Sequence, residues 1–103
     1  MFNSLILIGR LVSQPEMITT KEGEGKWVKF YLAVERPYKN SKNEYQIDYI
    51  GIKTWLSNTL EIKELLKPGI ILAIKARIQT FNTKSNNGKH FIEIIADKLT
   101  YIN

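Results

Sequence analysis

The sequence predicts a small all-β domain, a barrel of five strands with a single helix. Its 103 residues are enough for one domain and too few for two. Most apolar segments alternate with polar residues at period two, which is typical of strands with one face in a core. One segment, residues 56–67, has helical periodicity instead, and it follows the third predicted strand. A parallel α/β sheet would need a helix after nearly every strand, so the all-β class is favoured.

The first predicted strand, Leu5–Val12, is apolar on both faces until Arg10 interrupts it. This pattern is typical of a strand buried on both sides, by the domain core and, in one interpretation, by a second subunit. Gln14-Pro15 then marks a break in the strand pattern. A polar, glycine-rich hairpin loop is predicted over Lys21–Lys26.

The second predicted strand, Lys26–Arg36, alternates along its length and is expected to stop at Pro37. Its apolar face holds Val28, Phe30, Leu32 and Val34. Its other face holds Trp27, Lys29, Tyr31 and Glu35. A loop that is polar at every position, Lys39–Asn43, leads to the third strand.

The third predicted strand is Glu44–Trp55, in which Ile50 and Ile52 point one way. The opposite face holds Tyr49, Gly51, Lys53 and Trp55. The period then changes, and a helix with a broad apolar side is predicted over Leu56–Lys67. Either Ser57 or Asn58 is expected to cap its first turn, and Pro68-Gly69 is expected to end it.

The fourth and fifth predicted strands form a hairpin that closes the sheet. The fourth predicted strand is Ile70–Phe81. The side chains expected to point into the core are Ile70, Leu72, Ile74, Ala76 and Ile78. Asn87-Gly88 is a strong hairpin signal, and Phe91–Ala96 with Leu99–Ile102 completes the sheet. Three strands, a helix and two strands over residues 1–103 are the layout of a single OB-fold domain.

The faces opposite the aliphatic rows combine aromatic and basic residues in three strands. These sets are Trp27 with Lys29; Tyr49 with Lys53 and Trp55; and Lys75 with Arg77 and Phe81. Aromatic rings offer surfaces on which unpaired bases stack, and lysine or arginine neutralises the phosphates between them. For any single residue the alternative is an aromatic in a second core or a cation on ordinary solvated surface. Three such faces on one sheet favour a nucleic-acid surface.

Composition excludes several other classes of function. The 15 Lys and Arg exceed the 10 Asp and Glu by five, an excess that permits an anionic partner without requiring one. No cysteine and a single histidine, His90, exclude disulfides, thiolate metal sites and histidine metal clusters. No nucleophile elbow or phosphate-binding loop motif is present, so we expect no enzyme, cofactor or metal. The longest apolar run, Leu5–Ile8, is too short for a membrane span, so we expect a cytoplasmic protein.

Several motifs in a fixed order resemble the bacterial-type single-stranded DNA-binding protein family over Phe2 to Ile102. They are Leu5–Leu11 followed by Pro15-Glu16, Phe30–Arg36, Asp48-Tyr49, Lys67–Gly69, Gly88-Lys89 and Ile94–Asp97. The resemblance implies stacking by Tyr38, Tyr49 and Trp55. A further family aromatic falls at Thr83, where Phe81 is a possible substitute. Family cations map to Arg10, Lys53, Lys84 and Lys89.

These observations together predict a DNA-binding set drawn from the first four predicted strands and from the loops that follow the second and the fourth. It comprises Arg10, Trp27, Lys29, Arg36, Tyr38, Tyr49, Lys53, Trp55, Lys75, Arg77, Phe81, Lys84 and Lys89. The predicted partner is single-stranded DNA, bound without strong sequence preference and protected during replication, recombination or repair. The alternative is an OB-fold primosome or replisome adaptor that acts mainly through protein–protein contacts.

The sequence also predicts self-association through its first strand, with an interface formed by Leu5, Ile6, Leu7 and Ile8. These residues are apolar on both faces, which argues for a closed oligomer of two or more. The resemblance implies a homotetramer. The alternative is that another part of the same chain covers Leu5 and Leu7.

Members of the family usually carry a flexible tail with an acidic tip that recruits replication and repair enzymes. This sequence stops at Asn103, where the barrel is expected to end, which argues against tail-mediated partners. A truncated chain is one explanation. The other is a native tail-less form, as in a phage, plasmid or accessory paralogue or a primosomal relative.

Overall fold

The computed structural model describes residues 1–19, 26–82 and 89–103, and the predicted strand pattern is present in it. Its strands are β1 Leu5–Leu11, β2 Glu16–Thr19, β3 Lys26–Lys39, β4 Tyr45–Trp55, β5 Ile71–Phe81 and β6 Phe91–Tyr101. A 3₁₀ helix, Leu56–Leu65, follows β4. The predicted loop and turn at 21–25 and 87–88 lie outside the described residues.

Five strands close into a barrel in the order β1, β5, β6, β4 and β3, because β1 also pairs with β3. All pairs are antiparallel except β4 with β6. The short β2, which the sequence pattern did not indicate, adds to the free edge of β3. The five-stranded OB-fold barrel, with its helix after the third barrel strand, is therefore confirmed.

Side-chain alternation places the core where it was predicted. Val28, Phe30 and Leu32 of β3 are buried, and so are the inward residues of β5, Leu72, Ile74 and Ala76. Ile78 was also predicted to point inward, but it is 41% exposed. The alternation of buried and exposed residues in β5 ends at Ala76, its last buried residue, and Ile78 lies beyond it where the hairpin extends past the core.

The β1 strand contributes to both sides of the barrel wall. Leu5 and Leu7 pack against the core and Leu11 is fully buried. Ile6 and Ile8 point outward and are 73% and 59% exposed. Leu5 and Leu7 thus pack against the core of their own barrel, as in the alternative above, and Ile6 and Ile8 are the predicted interface residues that remain exposed.

Two local predictions are wrong, and tertiary contacts explain both. The helix is 3₁₀ and has no side-chain cap at its N-cap residue, Trp55. Asn58 instead donates hydrogen bonds to the Thr54 hydroxyl at 3.1 Å and to the Ala96 carbonyl at 3.5 Å. The β3 strand runs through Pro37, because a register shift between residues 35 and 39 accommodates a residue that cannot donate a ladder hydrogen bond.

The helix ends at Leu65, two residues before the predicted Lys67, and the predicted turn at Pro68-Gly69 follows it. Gly69, in the turn that follows it, has φ of 98°, a conformation that favours glycine. Within the described ranges, no helix is both long and apolar enough to cross a membrane.

Candidate functional site

The outer faces of β3 and β4 form one surface on which aromatic and basic residues alternate. Across the two strands, Trp27 pairs with Trp55, Lys29 with Lys53, Tyr31 with Gly51, and Ala33 with Tyr49. We call this surface the aromatic-basic face and define it by Trp27, Lys29, Tyr31, Tyr49, Lys53 and Trp55. Two of the three predicted faces are thereby brought together, because β3 and β4 are neighbours in the barrel.

The two tryptophans stack on each other at one end of this face. Their ring centroids are 3.9 Å apart and their planes make an angle of 24°. The Nζ of Lys53 lies 4.8 Å from the centre of the Trp27 ring, a cation–π distance. Trp27 thus supports Trp55, whose side chain remains 41% exposed.

Two tyrosines continue the face along the strands. A Cβ placed on Gly51 would lie 3.1 Å from Cε1 of Tyr31, so the tyrosine ring lies directly over the glycine backbone. The Lys29 ammonium is 5.4 Å from the centre of that ring. Tyr49 is 66% exposed and presents most of its ring to an incoming group.

A groove of about 550 Å³ adjoins the face and is bounded by the β5–β6 hairpin. Its lining includes Lys29, Gly51 and Lys53 from the face, and Phe81 and Glu93 from the hairpin. Phe81 forms a tilted pair with Phe91 at 5.8 Å between ring centroids. The predicted Phe81 therefore lies beside the β3–β4 surface, at the end of β5.

Other predicted cations lie around the barrel. Arg77 is in the same cross-strand row as Lys53, separated from it by the buried Ile95, and donates to Asp97 at 3.1 Å. Lys75 pairs in register with Ile6, on the side of the barrel that carries β1.

The predicted Arg10 is positioned next to the face but is engaged elsewhere. Its Cα partner on β3 is Ala33, one strand away from Tyr49. Its guanidinium donates a 2.6 Å hydrogen bond to the Gly69 carbonyl.

Arg36 is held in a bidentate ion pair rather than on the aromatic-basic face. Its Nε and Nη2 donate to the two carboxylate oxygens of Asp48 at 3.0 and 2.9 Å. These hydrogen bonds raise the pKa of Arg36, and the same contact lowers the pKa of Asp48 below its ordinary value of 3.8. Arg36 therefore fixes the β3–β4 hairpin, beyond which the predicted Tyr38 is 61% exposed.

Of the last two predicted cations, the structure describes only Lys89. Lys89 is exposed just ahead of β6, and Lys84 lies outside the described residues. Among the described residues, no group of three histidine, cysteine or acidic side chains is arranged to hold a metal ion.

Sequence reasoning missed several residues that contribute to the site. Alternation placed Tyr31 on the outer face with Trp27 and Lys29, but the predicted DNA-binding set left it out. Glu93 lies in the groove because of the pairing of β6 with β4 and β5, which no local signal reveals. Phe91 joins the site only through its cross-strand partner Phe81.

Comparison with known sequences identifies similar proteins over the whole chain. A model of the Single-strand binding protein family matches residues 2–102. Single-stranded DNA-binding protein 3 of Listeria innocua is 34% identical, with 99% of this chain and 64% of that protein covered. The chain therefore spans about two thirds of the length of that relative.

Solved structures share the fold. The SSB of Plasmodium falciparum, in complex with ssDNA, has a TM-score of 0.73 and 23% identity, covering 100% of this chain and 96% of that one. The dimeric N-terminal domain of PriB from Thermoanaerobacter tencongensis has a TM-score of 0.71 and 18% identity, covering 98% and 97%. At these identities the likeness supports the barrel alone.

Proposed function

The chain belongs to the Single-strand binding protein family, and on that premise we propose that it binds single-stranded DNA without strong sequence preference. The observation that carries the proposal is the aromatic-basic face. Its aromatic rings offer stacking surfaces and its lysines offer charge, in alternating rows along two neighbouring strands. A stack accepts any base, and charge neutralisation is independent of sequence, so neither interaction selects a particular sequence.

The aromatic rings and the lysines of the face have separate roles, the rings stacking on bases and the lysines meeting phosphates. Trp55 and Tyr49 are six residues apart on one strand face, which places them about 20 Å apart at the usual rise per residue. Lys53 lies between them, and Lys29 lies beside Lys53 on β3. Glu93 offsets part of the charge of Lys53 at 3.7 Å, so Lys29 would be the main cation beside the phosphates that join bases stacked on the two rings. We propose that such binding protects single strands during replication, recombination or repair.

We further propose that the protein acts in the cytoplasm as a homo-oligomer, and that the complete assembly is a tetramer. The exposed Ile6 and Ile8 on β1 support an interface at that strand. Burying an isoleucine side chain is worth roughly 1.5–3 kcal/mol. Linked barrels would also hold a long strand more firmly than one barrel can, because each contact raises the effective concentration of the next.

The test is fluorescence anisotropy of labelled oligo-dT titrated with the protein, with duplex DNA of equal length as the control. We expect binding of the single strand that weakens as salt is raised, and much weaker binding of the duplex. Equal affinity for the duplex would contradict stacking on unpaired bases. No binding of either would favour the protein–protein adaptor function over the one proposed.

A further inference from the structure

The groove beside the aromatic-basic face contains a carboxylate that phosphate neutralisation does not use. Glu93 of β6 lines this groove with a side chain that is 22% exposed. Its Oε1 accepts a 2.7 Å hydrogen bond from the Gln79 amide. Its Oε2 is 3.7 Å from Lys53 Nζ, too far for a hydrogen bond. Within the part of the chain that the structure describes, Oε2 is thus an acceptor that has no hydrogen-bond donor.

The charges in the groove determine which part of a nucleotide can approach Glu93. A carboxylate repels phosphate, and it already offsets the charge of Lys53. Lys29 also lines the groove and forms no ion pair with any carboxylate among the described residues. A phosphate is therefore favoured beside Lys29, and the edge of a base is favoured beside Glu93.

The remaining lining fits a base. Phe81 supplies an aromatic ring, and Gly51 adds no side chain of its own, so the ring of Tyr31 lies over its backbone at the groove. The groove volume of about 550 Å³ lies within the range of small-ligand sites.

Resting on the proposed function, we propose that this groove takes one nucleotide and that Glu93 Oε2 accepts a hydrogen bond from the exocyclic amino group of its base. Cytosine presents such a donor at N4, where thymine presents the acceptor O4. A carboxylate attracts the first group and repels the second. Glu93 therefore gives an otherwise sequence-tolerant surface a modest preference for cytosine over thymine at one position.

The experiment compares the affinities of oligo-dC and oligo-dT of equal length for the wild type and for Glu93→Gln. The glutamine amide can donate to thymine O4, so the preference for cytosine, expressed as Kd for dT divided by Kd for dC, should fall about 5- to 10-fold. Because the wild type and the variant are measured on the same two oligonucleotides, any difference in affinity that comes from the oligonucleotides themselves cancels in the comparison. Glu35→Gln removes an exposed carboxylate from the outer face of β3, away from the groove lining, and should change both affinities by the same factor.

A second variant separates charge from geometry. Glu93→Asp keeps the charge but withdraws the carboxylate by one methylene group, so it should also lose the preference for cytosine. If Glu93→Gln strengthens binding of both oligonucleotides equally, Glu93 acts only as a repelling charge and the inference is overturned. If the ratio of Kd for dT to Kd for dC is the same in the wild type and Glu93→Gln, and both proteins bind tightly, the inference about Glu93 is overturned and the proposed function stands. If the wild type binds neither oligonucleotide, the proposed function is overturned as well.

Discussion

Trp55→Ala is the substitution that separates binding from folding most clearly. Trp55 is 41% exposed, and one side of its ring is stacked on Trp27 at 3.9 Å. Loss of one base-stacking ring costs about 1–3 kcal/mol, which corresponds to about a 5- to 150-fold weaker Kd for oligo-dT. Loss of the ring pair within the protein costs about 0.5–1.5 kcal/mol.

These two magnitudes call for two measurements. Anisotropy titration with oligo-dT gives the change in Kd, and thermal unfolding gives the change in Tm. For a domain of this size, about 0.5–1.5 kcal/mol lowers the Tm by roughly 2–12 °C, so the barrel should remain folded at room temperature. Trp55→Phe keeps an aromatic ring and should recover most of the affinity.

A matched control lies on the helix, outside the aromatic-basic face. Leu60 is 60% exposed, so Leu60→Ala should leave the affinity for oligo-dT unchanged. If Trp55→Ala binds oligo-dT as tightly as Leu60→Ala does, then Trp55 is a structural residue and the stacking argument is refuted.

Further predictions concern the rest of the surface. Tyr49→Ala, at a 66% exposed ring, should weaken oligo-dT binding by about 1–3 kcal/mol in titration while leaving the Tm unchanged; normal affinity would remove Tyr49 from the site. A plot of log K against log salt should fall by about 0.7 per phosphate contact, and a flat plot would contradict phosphate neutralisation. Because the pKa of Asp48 is lowered by Arg36, the ion pair stabilises the fold above pH 3.8 and this contribution is lost as pH falls through the lowered value. The Tm difference between wild type and Asp48→Asn should therefore shrink on acidification, and a constant difference would contradict this. A double substitution, Ile6→Glu with Ile8→Glu, should reduce the mass in sedimentation equilibrium, and a wild type near 11.9 kDa would refute the interface.

Side-chain alternation predicted most of the fold. The parity of Val28, Phe30 and Leu32 identified the core, and the opposite parity of Trp27 and Lys29 identified the outer face. These predictions succeeded because a strand with one face in a core has a strict period of two.

Features that depend on contacts between distant segments could not be predicted in this way. Asn58 has the residue type of a helix cap, but the nearby Thr54 and Ala96 oxygens accept its hydrogen bonds instead. Pro37 normally ends a strand, but a register shift allows β3 to continue through it. Local sequence reveals neither the position of the Ala96 carbonyl nor the register shift in β3.

In the candidate site, too, alternation predicted which side chains point outward but not which of them form ion pairs. Alternation placed Trp55 and Tyr49 correctly on the outer face. It did not reveal that Arg36 and Arg77 would be paired with Asp48 and Asp97, because those pairs depend on cross-strand register. A count of basic residues therefore overstates the charge that is free to meet phosphate.

The most direct test of the central claim uses the protein's own tryptophans. The chain has two, Trp27 and Trp55, and both lie in the same stack on the aromatic-basic face. Intrinsic fluorescence during titration with unlabelled oligo-dT therefore reports on that face alone. We predict strong, saturable quenching whose midpoint agrees with the Kd from anisotropy. If oligo-dT binds by anisotropy and the tryptophan emission does not change, the DNA lies elsewhere on the barrel and the proposed binding face is wrong.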